Sequence, residues 1–204
     1  SMVNLGLSKD DFVILYCGRI APEKGLRELI KAINRIDNKN ITLLIIGSVE
    51  FGNKKVSSYQ KEIQRLIASS NKKIVATGFV KNSNLSNYYS ISDLVVIPTL
   101  IEEAAGLVAI EAMTMGLPLI VTKSGGLTEY VTEDCAIIID KSDDIIDKIK
   151  NAVSELLYNR EKMNNMSAHS LKRAKLFNTK IFYNNFVYII KEIYSINEGK
   201  KHEK

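Results

Sequence analysis

The sequence predicts an α/β fold, an open parallel sheet of about six strands flanked by helices and followed by C-terminal helices. Three observations carry this. Short β-rich runs recur along the chain, segments of helical period separate them, and the alternation stops near residue 159.

The runs are Phe12–Cys17, Ile41–Ile46, 73–77, Leu94–Ile97, Leu119–Thr122 and Ala136–Ile139. All but 73–77 are nearly continuous Ile, Val and Leu, as strands buried on both faces of a parallel sheet must be. Between them, Leu26, Leu29, Ile30, Ile33 and Ile36 fall on one helical face, and so do Ile145, Ile146, Ile149, Val153, Leu156 and Leu157. Two further helical segments are expected beyond residue 159, the second rich in aromatics: Phe177, Phe182, Tyr183, Phe186, Tyr188 and Tyr194. They read as helices closing the edge of the sheet, with docking on a further domain as the alternative. The last six residues, from Gly199, are expected to fray.

At 204 residues, 46% hydrophobic and 25% charged, the chain suits one well-packed domain or two small ones. A collagen-like repeat, a disulfide miniprotein and a long disordered tail are excluded. Lys and Arg total 28 against 23 Asp and Glu, a net charge of +5. The lysines are scattered among acids, so a nucleic-acid partner is not expected. Cys17 and Cys135 sit in or beside apolar runs, define no disulfide or metal framework, and point to a reducing cytoplasm. No apolar stretch approaches the roughly 18–20 residues that span a bilayer, and no signal peptide is visible. Ser1-Met2 reads as a tag remnant on a chain already in mid-sequence, hence as part of a larger protein.

In open α/β sheets ligands bind beyond the carboxyl ends of the strands. The residues there are rich in glycine: Gly18-Arg19, Gly47-Ser48, Gly78-Phe79-Val80, the stretch from Thr99 to Gly106, and Ser124-Gly125-Gly126. Glycine at such places permits tight turns and close approach of backbone to a ligand. The first loop puts Arg19 at a strand end and Lys24 in the first turn of the next helix. A cation there opposes the helix dipole, and an anion bound between Arg19, Lys24 and the helix amides would reverse that cost. The alternative is that both are solvated or pair with Glu23 or Glu28. The loop is neither a Walker phosphate loop nor G-x-G-x-x-G, which argues against a dinucleotide dehydrogenase.

If a helix begins near Gly106, Glu111 falls within its apolar part, beside Ile110, Ala112 and Met113. A carboxylate so placed needs hydrogen-bond partners, and nothing nearby in sequence offers one. Glu103 precedes the same helix. Two acids eight apart, on either side of a helix start, suit the hydroxyls of one elongated ligand; a structural acid and a helix-entry carboxylate are the alternative.

With these residues assembled, the chain resembles the nucleotide-sugar-binding half of retaining glycosyltransferases of family 4. Those enzymes have the GT-B fold of two Rossmann-like domains. The likeness rests on G-R-I-A-P-E-K-G at 18–25, G-F-V at 78–80, S-D-L-V-V-I-P at 92–98, two acids separated by seven residues (Glu103 and Glu111) within G-L-V-A-I-E-A-M, G-L-P-L-I at 116–120 and G-G-L-T-E at 125–129. Their joint order and spacing is specific, and it runs from about Phe12 to Ile139.

The resemblance implies a Rossmann-like donor domain over 1–204, with 160–204 as its helical extension and the N-terminal acceptor domain absent. Arg19 and Lys24 match the basic pair that holds the donor diphosphate and stabilises its charge as the sugar–phosphate bond breaks. Glu103 matches the acid on the hydroxyls of the transferred sugar, and Arg19, Lys24 and Glu103 form the catalytic set. Glu111 matches the acid that binds ribose, Val80 the position whose main chain reads the base, and Gly106, Leu107 and Val108 the amides facing the diphosphate. Gly18 and Gly47 complete the donor-binding set.

Ala105 stands where many members have Phe, and Thr128 where many have Pro, so the floor of the sugar site differs. His169 and His202 match no catalytic histidine. The family works without bound metal, and no Asp-x-Asp motif occurs here. The resemblance thus implies retaining transfer of a hexose from a UDP- or GDP-sugar, a co-substrate rather than a cofactor, to a polysaccharide, lipopolysaccharide or other glycolipid acceptor. The place is a bacterial cytoplasm, at the inner membrane face if the full-length protein associates peripherally. The domain alone is expected to bind donor but transfer little. A non-catalytic nucleotide-sugar-binding or regulatory module is the alternative.

Overall fold

The computed structural model describes residues 5–47, 57–178, 180–181 and 187–188. Its strands are β1 (Phe12–Cys17), β2 (Ile41–Ile46), β3 (Lys73–Gly78), β4 (Leu94–Ile97), β5 (Leu119–Thr122) and β6 (Ala136–Ile139). Each lies where the sequence places it, with Gly78 added to the third. All pair in parallel, in the order β3-β2-β1-β4-β5-β6. The chain winds outward to β3, then returns to lay β4 against β1, pairing Leu94 with Ile14 and Val95 with Leu15. That reversal brings together the loops after β1 and β4, where the two richest motifs lie.

The helices are α1 (Leu26–Asn34), α2 (Ser58–Ala68), α3 (Asn82–Tyr89), α4 (Leu107–Thr114), α5 (Leu127–Tyr130), α6 (Ile145–Tyr158) and α7 (Arg160–Ala174). One apolar layer joins α1, α2 and α6 to the sheet through Leu29, Ile33, Ile63, Ile149 and Val153. Of the expected α6 face, Ile146 and Leu157 are only half-buried and lie at its margin. The opposite layer joins α3, α4 and α5 through Tyr89, Ala109, Met113 and Leu127. Burying one such Leu, Ile or Met is worth about 1.5–3 kcal/mol. β3 is an edge strand with no fully buried residue, which is why its sequence carries Lys73 and Thr77 where the inner strands carry aliphatics.

Local chemistry sets the helix ends. The α2 start is a capping box: Ser57 Oγ accepts from the Gln60 amide at 3.2 Å, and Gln60 Oε1 accepts from the Ser57 amide. Asn159 ends α6 and caps α7, accepting from the Lys162 amide at 2.9 Å. α7 is stitched to its own domain: Ser170 Oγ donates to Leu117 O at 2.8 Å, and Arg173 donates to the carbonyls of Tyr130 at 2.8 Å and Glu129 at 2.7 Å. Arg173 also lies 5.1 Å from the Phe177 ring, which packs on Tyr130. α7 therefore packs on α4 and α6, whereas the sequence reading set the C-terminal helices at the edge of the sheet. Phe182, Tyr183, Phe186, Tyr194, His202 and the expected frayed end fall outside the described residues.

Among the described residues no helix is long and apolar enough to cross a membrane, and no group of three His, Cys, Asp or Glu is placed to hold a metal. Cys17 and Cys135 are free thiols.

Candidate donor site

The loops after β1 and β4 enclose a cavity of about 230 Å³, lined by Gly18, Arg19, Lys24, Glu103, Gly106, Leu107 and Val108 among others. Lys24 does not open α1. It ends a separate 3-10 turn, Pro22–Lys24, and Gly25 then starts the helix. Gly25 has φ 71°, and a Cβ there would lie 1.9 Å from Pro98 O. A side chain is excluded twice over, by backbone conformation and by space. Leu100 N and Thr99 Oγ1 donate to Glu23 O at 2.8 and 3.3 Å, so the β1 loop is bonded directly to the β4 loop.

This contact carries Lys24 to Glu103, where Nζ meets Oε1 at 2.5 Å. The side chains are 21% and 19% exposed, so the pair is screened less than a surface pair. Glu103 is fixed from behind: its amide donates to Ser124 Oγ at 3.1 Å, and its carbonyl accepts from the Gly126 amide at 2.8 Å. Arg19 is 47% exposed at the rim and pairs with Glu23 at 3.0 Å, one of the partners the sequence allowed. Its carbonyl accepts from the Tyr16 hydroxyl at 2.7 Å, and burial pushes that phenol well above its ordinary value. Glu28, the other candidate, binds Arg27 instead, at 2.8 Å.

Gly25 and three of the strand-end glycines stand where loop meets loop. A Cβ on Gly25, Gly47, Gly125 or Gly126 would collide with Pro98 O, Gly18 O, Glu103 O and Ala104 O respectively. In this structure they let loops press on one another and so fix the cavity wall. Gly106 does precede α4 as expected, with no side-chain cap. The first amides of that helix, from Leu107 and Val108, have no partner within the helix, and both residues line the cavity. Leu107 itself is 66% exposed.

Glu111 sits on α4, within the helix where the sequence places it. It is half-buried and does not line the first cavity. It faces a groove of about 260 Å³ between α3 and α4, with Asn82, Leu85, Ser86 and Thr114. Its Oε2 has a protein partner, the Tyr89 hydroxyl at 2.7 Å. Sequence reading missed Tyr89 because it stands on another helix, and the single available signal was an aromatic pair, Tyr88-Tyr89, before a strand. Val80 is half-buried just ahead of α3, packed on the same layer as Tyr89. Val80 and Gly47 line neither cavity. His169 is exposed on α7, its ring Nδ1 at 2.8 Å from Asn165 O, and also lines neither. Ala105 lines the first cavity, while the Thr128 hydroxyl turns back to Gly125 O at 3.0 Å.

Residues 2–173 match the model of the family described as glycosyl transferases group 1. The chain belongs to that family. It is 33% identical over 132 residues to the lipopolysaccharide 1,2-N-acetylglucosaminetransferase of Salmonella typhimurium, covering 63% of this chain and 35% of that one. To the capsular polysaccharide biosynthesis glycosyltransferase CapM of Staphylococcus aureus it is 33% identical over 154 residues, covering 73% and 38%. The chain thus spans little more than a third of the length of these relatives. Among solved structures it superposes on Anabaena HepE, crystallised with UDP-glucose, at a TM-score of 0.81 with 21% identity, covering 94% of this chain and 51% of that one. The sucrose-phosphate synthase of Thermosynechococcus elongatus gives 0.81 with 25% identity, covering 96% and 48%. The likeness shows that the six-stranded parallel sheet is the Rossmann-like unit of GT-B enzymes.

Proposed function

We propose that this chain is the donor-binding half of a retaining hexosyltransferase, taking a UDP- or GDP-hexose. The observation that carries the reading is the Lys24–Glu103 pair, held between the β1 and β4 loops at the open start of α4. A diphosphate in the cavity gives Lys24 an anion in place of Glu103, and the released carboxylate turns to sugar hydroxyls. Arg19 at the rim and the amides of Leu107 and Val108 supply further donors. The nucleoside extends toward Glu111 and Val80, with Glu111 accepting from ribose. Charge builds on the diphosphate as the anomeric carbon–oxygen bond breaks, and cations already in place lower that barrier. The reading calls for no metal or cofactor.

The acceptor is a polysaccharide or glycolipid, reached through the remainder of the protein, and the reaction takes place in the cytoplasm at the inner membrane face. The names of the lipopolysaccharide and capsule relatives support the acceptor class. Calorimetric titration with UDP, GDP, ADP and their hexose derivatives tests the site. One base series is expected to bind saturably and to be weakened at least tenfold by Lys24→Ala, about 1.4 kcal/mol. Absence of binding by every member at millimolar concentration overturns the reading.

A further inference from the structure

Tyr89 closes α3 and is 2% exposed, its ring sunk in the apolar layer that includes Leu44, Val95 and Ala109. Its hydroxyl meets Glu111 Oε2 at 2.7 Å. An ionised carboxylate only accepts, so the phenol is the donor and its single proton is committed. Cys17, at the end of β1, borders the same hydroxyl. Burial raises both the phenol and the thiol above their ordinary values, so both stay neutral near pH 7.

Glu111 Oε1 has no protein donor among the described residues, yet it is not among the buried atoms left without a partner. It therefore opens to the groove between α3 and α4. The contrast with Glu103 is informative. There the partner is a cation that neutralises the acid. Here the partner is a neutral group that fixes the carboxylate and leaves its charge for something else to use.

We propose that Tyr89 is a positioning residue for the nucleoside: its hydroxyl pins Oε2 of Glu111 so that Oε1 is presented to the ribose diol. This rests on the reading of Glu111 as the ribose acid. Ordering a Glu side chain before the ligand arrives removes that cost from binding, the general benefit of preorganisation.

The test removes one oxygen, Tyr89→Phe, and measures affinities for UDP, GDP and ADP beside their 2′,3′-dideoxy counterparts. For whichever base binds, the ribose form is expected to weaken about tenfold, some 1.4 kcal/mol, while the dideoxy form is unchanged. Added to Glu111→Ala, Tyr89→Phe is expected to cost nothing more. Equal weakening of both forms, or of neither, overturns the inference. So does a Tyr89→Phe chain that fails to fold while Glu111→Ala folds, because the hydroxyl then serves the fold. Failure of the wild-type chain to bind any of the nucleotides overturns the donor-site reading itself.

Discussion

Lys24 and Glu103 occupy each other in the structure, and that has an energetic consequence for selectivity. A nucleoside diphosphate that takes Lys24 leaves Glu103 without its partner, whereas a nucleotide sugar brings hydroxyls to replace it. Glu103→Gln removes the competing charge. It is expected to leave diphosphate affinity equal or higher while costing the sugar nucleotide the equivalent of one charge-assisted hydrogen bond, about 1.5–3 kcal/mol. Parallel titrations with both ligands check this, and equal changes would refute it. Asp93 gives a second residue-scale prediction, on stability. Its Oδ2 accepts from the Val13 amide at 2.7 Å, joining β4 to β1, and burial holds its carboxyl above the ordinary value of 3.8 against that bond and the nearby Arg160. The folded state therefore holds this proton more tightly than the unfolded chain does. The stability Asp93 contributes is full below the ordinary value and is lost as pH rises through the raised one. Asp93→Asn keeps an oxygen for Val13, so its denaturation midpoint should lack that fall with pH over the same window.

At the scale of elements, the junction between the β1 loop and α1 controls where Lys24 points. Gly25 combines a φ of 71° with a Cβ position 1.9 Å from Pro98 O, whereas Gly78 has a φ of 74° and open space around it. The two positions separate strain from collision. Gly78→Ala should cost only the left-handed backbone penalty, about 1–2 kcal/mol. Gly25→Ala carries the same penalty and must also push the β1 and β4 loops apart, so it should cost clearly more and also weaken donor binding. Urea denaturation with nucleotide titration on both variants checks the pair, and equal losses would show that the Pro98 contact yields cheaply. The α2 capping box offers a reference outside the cavity lining: Ser57→Ala should cost about 1 kcal/mol with donor affinity unchanged.

Across the whole molecule, legibility followed the range of the interactions. The six strands were readable because buried parallel strands must be runs of aliphatics, and the one weak run, at Lys73, was weak because it became an edge. Arg19, Lys24, Glu103 and Gly106 were found because cavity-facing charges and a helix start leave local traces. Long-range matters were not legible: the use of glycines to pack loop on loop, the hydroxyl of Tyr89 reaching Glu111 from another helix, and the hold of α7 on α5. That last hold bears on the site, because the Ser124–Gly126 turn ahead of α5 grips the backbone of Glu103, and Arg173 of α7 grips the carbonyls at the end of α5. Arg173→Ala removes both of those bonds and the contact with Phe177. At about 0.5–1.5 kcal/mol for each hydrogen bond, it should lose roughly 1–3 kcal/mol. For a chain of this size that lowers the melting temperature by about 2–12 °C. If α5 transmits the hold to Glu103, nucleotide-sugar affinity falls with it while affinity for the bare diphosphate does not, since the diphosphate has no use for Glu103. A melting temperature that drops with both affinities unchanged would confine α7 to the stability of the fold.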